Sequence, residues 1–224
     1  MSRKSAPVVE RSHEKYDRLI ALAKAMPAVS TAVAHPCDEA SLTGAIEAAE
    51  AGLIVPIFVG PMAKITSCAT KPGISLHGVE IVDAPHSQAA AAKAVEIVRS
   101  GRAEVLMKGS LHSDELLAEV TKRETGLRTA RRISHVFIMD VPDHPQTLFI
   151  TDAAVNIFPD LMAKRDIVQN AIDLYQGLGL GTPKVAILSA VETVTVSIPS
   201  TIEAAALCKM ADRGQITGGV LDGP

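Results

Sequence analysis

Residues 107–117 read MKGSLHSDELL and crowd Lys108, Ser110, His112 and Ser113 into one short stretch. An apolar, strand-like run, AEVLMKG, leads into them, and a helix-like run, DELLAEVTKR, follows. A lysine beside the free N–H groups of a helix start is the chemistry of an anion site, phosphate above all. The same residues also read as a capped helix, with Ser113 as N-cap and Asp114 and Glu115 in the first turn. Those two acids complement the helix dipole by themselves, which favours the capping reading.

Other clusters carry weaker signals. KRETGLRTARR (122–132) places Lys122 and Arg123 near a helix end, with Gly126 as its cap. Arg128, Arg131 and Arg132 lie past that cap, where guanidinium groups would suit a polyanionic ligand. TDAAVNIFPD sets Asp152 and Asn156 after one strand, and LSAVETV sets Ser189 and Glu192 after another. Strand ends are where such folds hold ligands. HVFIMDVPDHP offers His135, Asp140, Asp143 and His144, but the apolar run inside it marks a strand followed by a turn, which outweighs a metal site. GLGLGTPK (177–184) has alternate glycines, yet it follows a helix and precedes a strand, the reverse of a dinucleotide fingerprint. A helix C-cap with Gly177 or Gly179 in the left-handed region accounts for it. No Walker A motif is present, so neither nicotinamide nor ATP has support as a cofactor.

The elements that must position these residues alternate along the chain. Helices are predicted over 12–25, 38–52, a short stretch after Pro61, 86–101, 113–124, 164–179 and 199–214. Strands are predicted over 29–35, 54–60, 78–84, 103–109, 133–141, 146–153, 184–190 and 215–223. Strand–helix alternation implies βαβ units and a mostly parallel sheet. The strands at 133–141 and 146–153, joined by PDHP, read as a hairpin in a second sheet. A boundary near 126–132 divides the chain into domains at 1–130 and 131–224.

Composition excludes several classes. With 47% hydrophobic residues and 3% aromatics, a large core must be built from Ala, Val, Ile and Leu. A formal net charge of -3 and the lack of stacking side chains argue against nucleic acid. Cys37, Cys68 and Cys208 are too scattered for a disulfide framework or zinc site and suit a cytoplasmic protein. The stretch 1–19 has no apolar core of a secretory signal, and LIVPIFVGPM is too short to span a bilayer.

Long segments, in fixed order, resemble the phosphate acetyltransferase and phosphate butyryltransferase family: LMKGSLHSDELL, ETGLRTARRISHV, LFITDAAVNIFPD, KVAILSAVETV, PSTIEAAALCKMADRG and ITGGVLDGP. VAHPCDEASLTGAIEAAEAGLIVPIFVGP (33–61) is similar to its N-terminal domain. The resemblance implies an α/β, two-domain, isocitrate-dehydrogenase-like three-layer fold with mostly parallel sheets and an active-site cleft. It implies transfer of an acyl group from coenzyme A to inorganic phosphate, without a metal, a cofactor or a covalent acyl-enzyme. Phosphate is then expected at Lys108, Ser110, His112 and Ser113, and coenzyme A or acyl phosphate at Arg128, Arg131, Asp152, Asn156, Ser189 and Glu192. Leu117 stands where the acetyl branch carries an arginine, a departure that points to the butyryl branch; Lys108 or an arginine from 128–132 would replace its charge. The family continues beyond GGVLDGP, so the second domain is expected to be incomplete, the first to lack its returning segment, and residues 1–224 alone to be inactive. The partners implied are acyl-CoA and phosphate, in a homodimer or larger homo-oligomer, with neither nucleic acid nor membrane. Two other readings compete: a non-catalytic acyl-CoA sensor of the same fold, and a lipid-synthesis acyltransferase that uses acyl carrier protein.

Overall fold

The computed structural model of the chain describes residues 13–70, 72–142 and 144–224. Asp143, weighed above as a metal ligand, lies outside the described residues, as does most of the N-terminal stretch 1–19. Two units emerge: Ile20–Thr129 forms one, and residues 13–19 join Ala130–Pro224 in the other. Helix α1 (Glu14–Lys24) opens the described chain.

The first unit is one parallel sheet between helices. Its strands are β1 (Val29–Ala34), β2 (Ile54–Gly60), β3 (Glu80–Asp83) and β4 (Val105–Lys108). They lie in the order β3-β2-β1-β4, every neighbour parallel. Parallel pairing requires crossovers, and α2 (Glu39–Glu50), α3 (Met62–Thr70) and α4 (Ser87–Arg99) supply them, with α5 (Ser113–Val120) after β4. Period-2 alternation creates the layers. Ala32, Ala34, Ile57 and Val59 face Ala90, Ala91, Ala94 and Ile97 of α4 and Leu116 of α5. Val33 and Phe58, one residue out of phase, face Leu42 and Ala45 of α2 and Ile65 and Ala69 of α3. Each fully buried large apolar side chain here contributes about 1.5–3 kcal/mol. The edge strands β3 and β4 are shorter than the runs predicted for them, 78–84 and 103–109.

Local chemistry explains the boundaries. Asp38 caps α2 by accepting from Ser41 N at 2.8 Å, and Gly52 follows that helix at φ 75°. His86 Nδ1 accepts from Ala89 N to cap α4. α5 differs from expectation: His112 is its N-cap and Ser113 its first helical residue. The helix ends at Val120, and Gly126 folds back on its last turn, where an added Cβ would lie 2.4 Å from Val120 O. Its role is close approach, not a left-handed cap.

In the other unit, β5 (Val136–Met139) and β6 (Leu148–Thr151) form an antiparallel hairpin. α6 (Leu161–Gly177) follows, capped by Asp160, whose Oδ1 accepts from Ala163 N at 2.8 Å. Then come β7 (Lys184–Ala186), α7 (Pro199–Asp212) with Pro199 in its first turn, and β8 (Val220–Asp222), parallel to β7. After α6, Gly179 and then Gly181 adopt positive φ, whereas Gly177 does not. Val168 and Ile172 of α6 and Leu207 of α7 form the core with Ile216. Val220 is exposed, but Ile216 precedes the strand and is buried among the helices. On the hairpin, Phe149 packs edge-on against Tyr175 of α6. Phe137, Met139, Leu148 and Ile150 occupy the opposite face and are exposed.

Candidate active site

The order β3-β2-β1-β4 makes β1 the point where the winding reverses. In open α/β sheets ligands bind beyond the carboxyl ends of the strands at such a switch. Two loops meet there, His35–Asp38 after β1 and Gly109–Ser113 after β4. Gly109 N donates to Ala34 O at 2.8 Å and Ser110 N to His35 O at 2.9 Å. The approach is so close that a Cβ on Gly109 would sit 2.5 Å from Ala34 O and 2.6 Å from His35 O. Ser110 Oγ donates to His35 O at 2.9 Å, accepts from Cys37 N at 3.2 Å and lies 3.1 Å from His35 Nδ1. A hydroxyl has one donor and two acceptor positions. Its three partners all lie in the loop after β1, so the Ser110 hydroxyl ties the two loops together.

His112, at ψ 146°, provides no side-chain cap to α5. The first amides of that helix therefore lack the side-chain acceptor that an N-cap Ser113 would have supplied. Lys108 is exposed at the end of β4, its Nζ 3.3 Å from Gly109 O. Asp114 and Glu115 in the first turn oppose an anion, and Glu115 Oε2 is buried without a hydrogen-bond partner.

The electrostatics of the β1 loop follow from burial and nearby charge. Burial, then Lys64, holds His35 below the ordinary imidazole value, against opposing pulls from Glu115 and Asp38. Burial pushes the Cys37 thiol up to about 11. Hydrogen bonds from the Ser41 hydroxyl and amide hold Asp38 low, with help from Lys108 and His35. His35, Cys37, Asp38 and Gly109 were not singled out as site residues in the sequence. VAHPCDEA ends a strand in polar residues, but only the strand order shows that this strand lies at the switch.

The other candidates occupy two places. Arg128 is exposed in Ile20–Thr129. The rest belong to the other unit. Asp152 Oδ1 accepts from His135 N at 2.6 Å, and its Oδ2 from Asn156 N at 2.5 Å and Asn156 Nδ2 at 2.8 Å. Burial raises the Asp152 carboxyl, but these bonds outweigh it and the net shift is downward. Asn156 Oδ1 accepts from Arg132 Nε at 2.8 Å. Arg131 forms an ion pair with Asp173 of α6, and Arg132 N donates to Asp166 at 2.9 Å. These bonds fasten the segment leaving the unit boundary to α6. A polar cavity of about 270 Å³ beside them is lined by Arg131, Arg165, Asp166, Asp173, Gln215 and Thr217, among others. Ser189 Oγ lies 2.7 Å from Ser200 Oγ, and Glu192 is exposed on the same β7–α7 loop. His135 rests on the Phe137 ring, and Asp140 pairs with Lys15 at 2.9 Å. Their polar groups serve the hairpin and its junction with α1.

Residues 87–224 match the family described as phosphate acetyl/butaryl transferase. A phosphate acetyltransferase of Rhizobium meliloti is 72% identical over 94% of this chain and 66% of its own length. One from Rickettsia prowazekii is 49% identical over 96% of this chain and 62% of its own length. A phosphate butyryltransferase of Clostridium acetobutylicum is 39% identical over 94% of this chain and 70% of its length. The chain thus spans about two thirds of the curated relatives it matches. The crystal structure of a branched-chain phosphotransacylase from Enterococcus faecalis superposes with a TM-score of 0.71 at 27% identity, over 88% of this chain and 68% of that one. A phosphotransacetylase from Streptococcus pyogenes gives 0.75 at 16% identity, over 93% and 72%, a likeness of fold. With the α/β fold and the loop pair at the switch point already in place, these matches settle the lineage: the chain belongs to the phosphate acetyl/butaryl transferase family.

Proposed function

We propose that the protein is a phosphate acyltransferase that moves an acetyl group reversibly between the sulfur of coenzyme A and inorganic phosphate. The observation that carries this reading is the Lys108–Ser113 loop: an exposed lysine beside a helix start without a side-chain cap, at the switch point of a chain of this family. The 72% identity to a protein named phosphate acetyltransferase, against 39% to one named phosphate butyryltransferase, supports acetyl over the butyryl group suggested by Leu117. An oxygen of phosphate attacks the thioester carbonyl carbon. The C–S bond breaks, sulfur leaves with the electron pair and takes up a proton, and acetyl phosphate forms. Coenzyme A thioester is a substrate in this scheme, and no further cofactor enters it. Lys108 and the α5 amides orient phosphate and offset its charge while the tetrahedral intermediate forms.

We assign the coenzyme A side to the remaining candidates: Arg128, Arg131, Asp152, Asn156, Ser189 and Glu192. A homodimer or larger homo-oligomer is supported by the exposed apolar face of Phe137, Met139, Leu148 and Ile150. A cytoplasmic setting is supported by Cys37, Cys68 and Cys208 all being free thiols. Among the described residues no helix is long and apolar enough to cross a membrane, and the net charge of -3 supports small-molecule over nucleic-acid partners.

The test is thioester formation from acetyl phosphate and coenzyme A by the full-length protein. Lys108→Met should raise the KM for acetyl phosphate roughly ten- to a hundredfold, the value of one charged hydrogen bond, and leave that for coenzyme A unchanged. Equal weakening of both substrates would indicate a folding defect and sink the assignment of Lys108. Acyl-CoA binding without turnover by the unaltered protein would make it a sensor instead.

A further inference from the structure

His35 is the one non-glycine residue with positive φ among those described, at 54°. For a side chain with a Cβ this conformation costs roughly 1–2 kcal/mol, and such outliers cluster at functional sites. The residue is also buried, 8% exposed, although it is polar. Its carbonyl accepts from Cys37 N at 2.8 Å, Ser110 N at 2.9 Å and Ser110 Oγ at 2.9 Å. Its ring Nδ1 reaches the same hydroxyl at 3.1 Å. Backbone and ring of one strained residue thus converge on Ser110, the centre of the Gly109–Ser113 loop.

We propose that His35 is a positioning residue: its Nδ1 and carbonyl clamp Ser110, and so hold the Gly109–Ser113 loop where Lys108 and the α5 amides can share one phosphate. This rests on the phosphate site proposed above. The clamp uses only the near nitrogen of the ring. Asparagine meets the same needs, because it tolerates positive φ and carries a donor and an acceptor at the distance of Nδ1. Glutamine instead places its polar atoms at the distance of Nε2 and lacks tolerance of positive φ. The charges acting on the ring, Lys64, Glu115 and Asp38, are the same in both variants.

The experiment titrates inorganic phosphate into the full-length protein, His35→Asn and His35→Gln, following the amide NMR signals of Gly109 and His112, with the KM for phosphate and for coenzyme A measured alongside. His35→Asn should hold phosphate affinity within roughly threefold, and His35→Gln should weaken it roughly tenfold, the value of one hydrogen bond. The KM for coenzyme A should stay constant in both. Should His35→Gln fail to fold, Ser110→Ala takes its place with the same expected loss. Equal phosphate affinity in all the proteins, equal loss in Asn and Gln, or a parallel loss for coenzyme A would each overturn the clamp. No phosphate binding by the unaltered protein would defeat the clamp and the acyltransferase reading together. Phosphate binding without turnover would defeat the acyltransferase reading alone.

Discussion

Gly109→Ala adds one methyl group at the place where the two loops touch. Gly109 does not have positive φ, so the cost is steric. The new Cβ would lie 2.5 Å from Ala34 O, 2.6 Å from His35 O and 2.7 Å from His35 C, all backbone atoms that cannot rotate away. To reach ordinary contact the loop must retreat by several tenths of an ångström. That stretches the bonds Gly109 N to Ala34 O and Ser110 N to His35 O, now 2.8 and 2.9 Å. Overpacking of this kind costs about 1–3 kcal/mol, and two weakened hydrogen bonds add about 0.5–1.5 kcal/mol each. A loss of about 2–6 kcal/mol follows, a fall in Tm of roughly 4–24 °C for a chain of this size. Gly44→Ala is the control. It makes the same chemical change inside α2, where nothing lies within 4 Å of the new Cβ, and should stabilise by about 1 kcal/mol. Urea and thermal unfolding of both variants decide the matter. If Gly109→Ala costs less than about 0.5 kcal/mol, the loops do not meet as described, and the steric reasoning fails with them.

Three further outcomes are expected. Ser113→Ala should change stability by less than about 0.5 kcal/mol, because His112 is the cap residue, whereas Asp38→Ala and Asp160→Ala should each cost about 1 kcal/mol; equilibrium unfolding of the three variants checks the contrast. Cys37, buried and pushed up to about 11, should resist iodoacetamide at mildly alkaline pH until denaturant is added, and mass mapping that finds it alkylated in the native protein would contradict its burial. The lowered His35 value means that, below about 6.5, the unfolded chain binds a proton that the folded chain refuses, so stability should decline with falling pH from that point. His35→Asn should flatten this slope while leaving the steeper acid loss, in which Asp152, Asp166 and Asp173, all held below their ordinary 3.8, become protonated.

What the sequence displays and what it hides separate by range. Ala32, Val33 and Ala34 show their alternation within three residues, and Asp38 and Asp160 announce their helices within three more, so the element order was legible. The site was legible only as places. Ser110 looked like a ligand because a serine in a polar loop has a spare hydroxyl; its partners, His35 and Cys37, lie more than seventy residues earlier in the chain. Arg131 looked like a free guanidinium past a helix end, yet its carboxylate is Asp173, 42 residues on. Ser113 lost the capping position to His112, whose backbone takes the extended angles of a cap residue. For Arg131 the deciding contacts depend on how its own segment packs on α6; for Ser110 they depend on which strand lies beside β1. Local periodicity does not encode that neighbour: β4 could have added next to β3 with the same alternation and the same helices. Placing it against β1 creates the switch point, sets Gly109 against the Ala34 and His35 carbonyls, where only a glycine fits, and makes Ser110 the pin between the two loops.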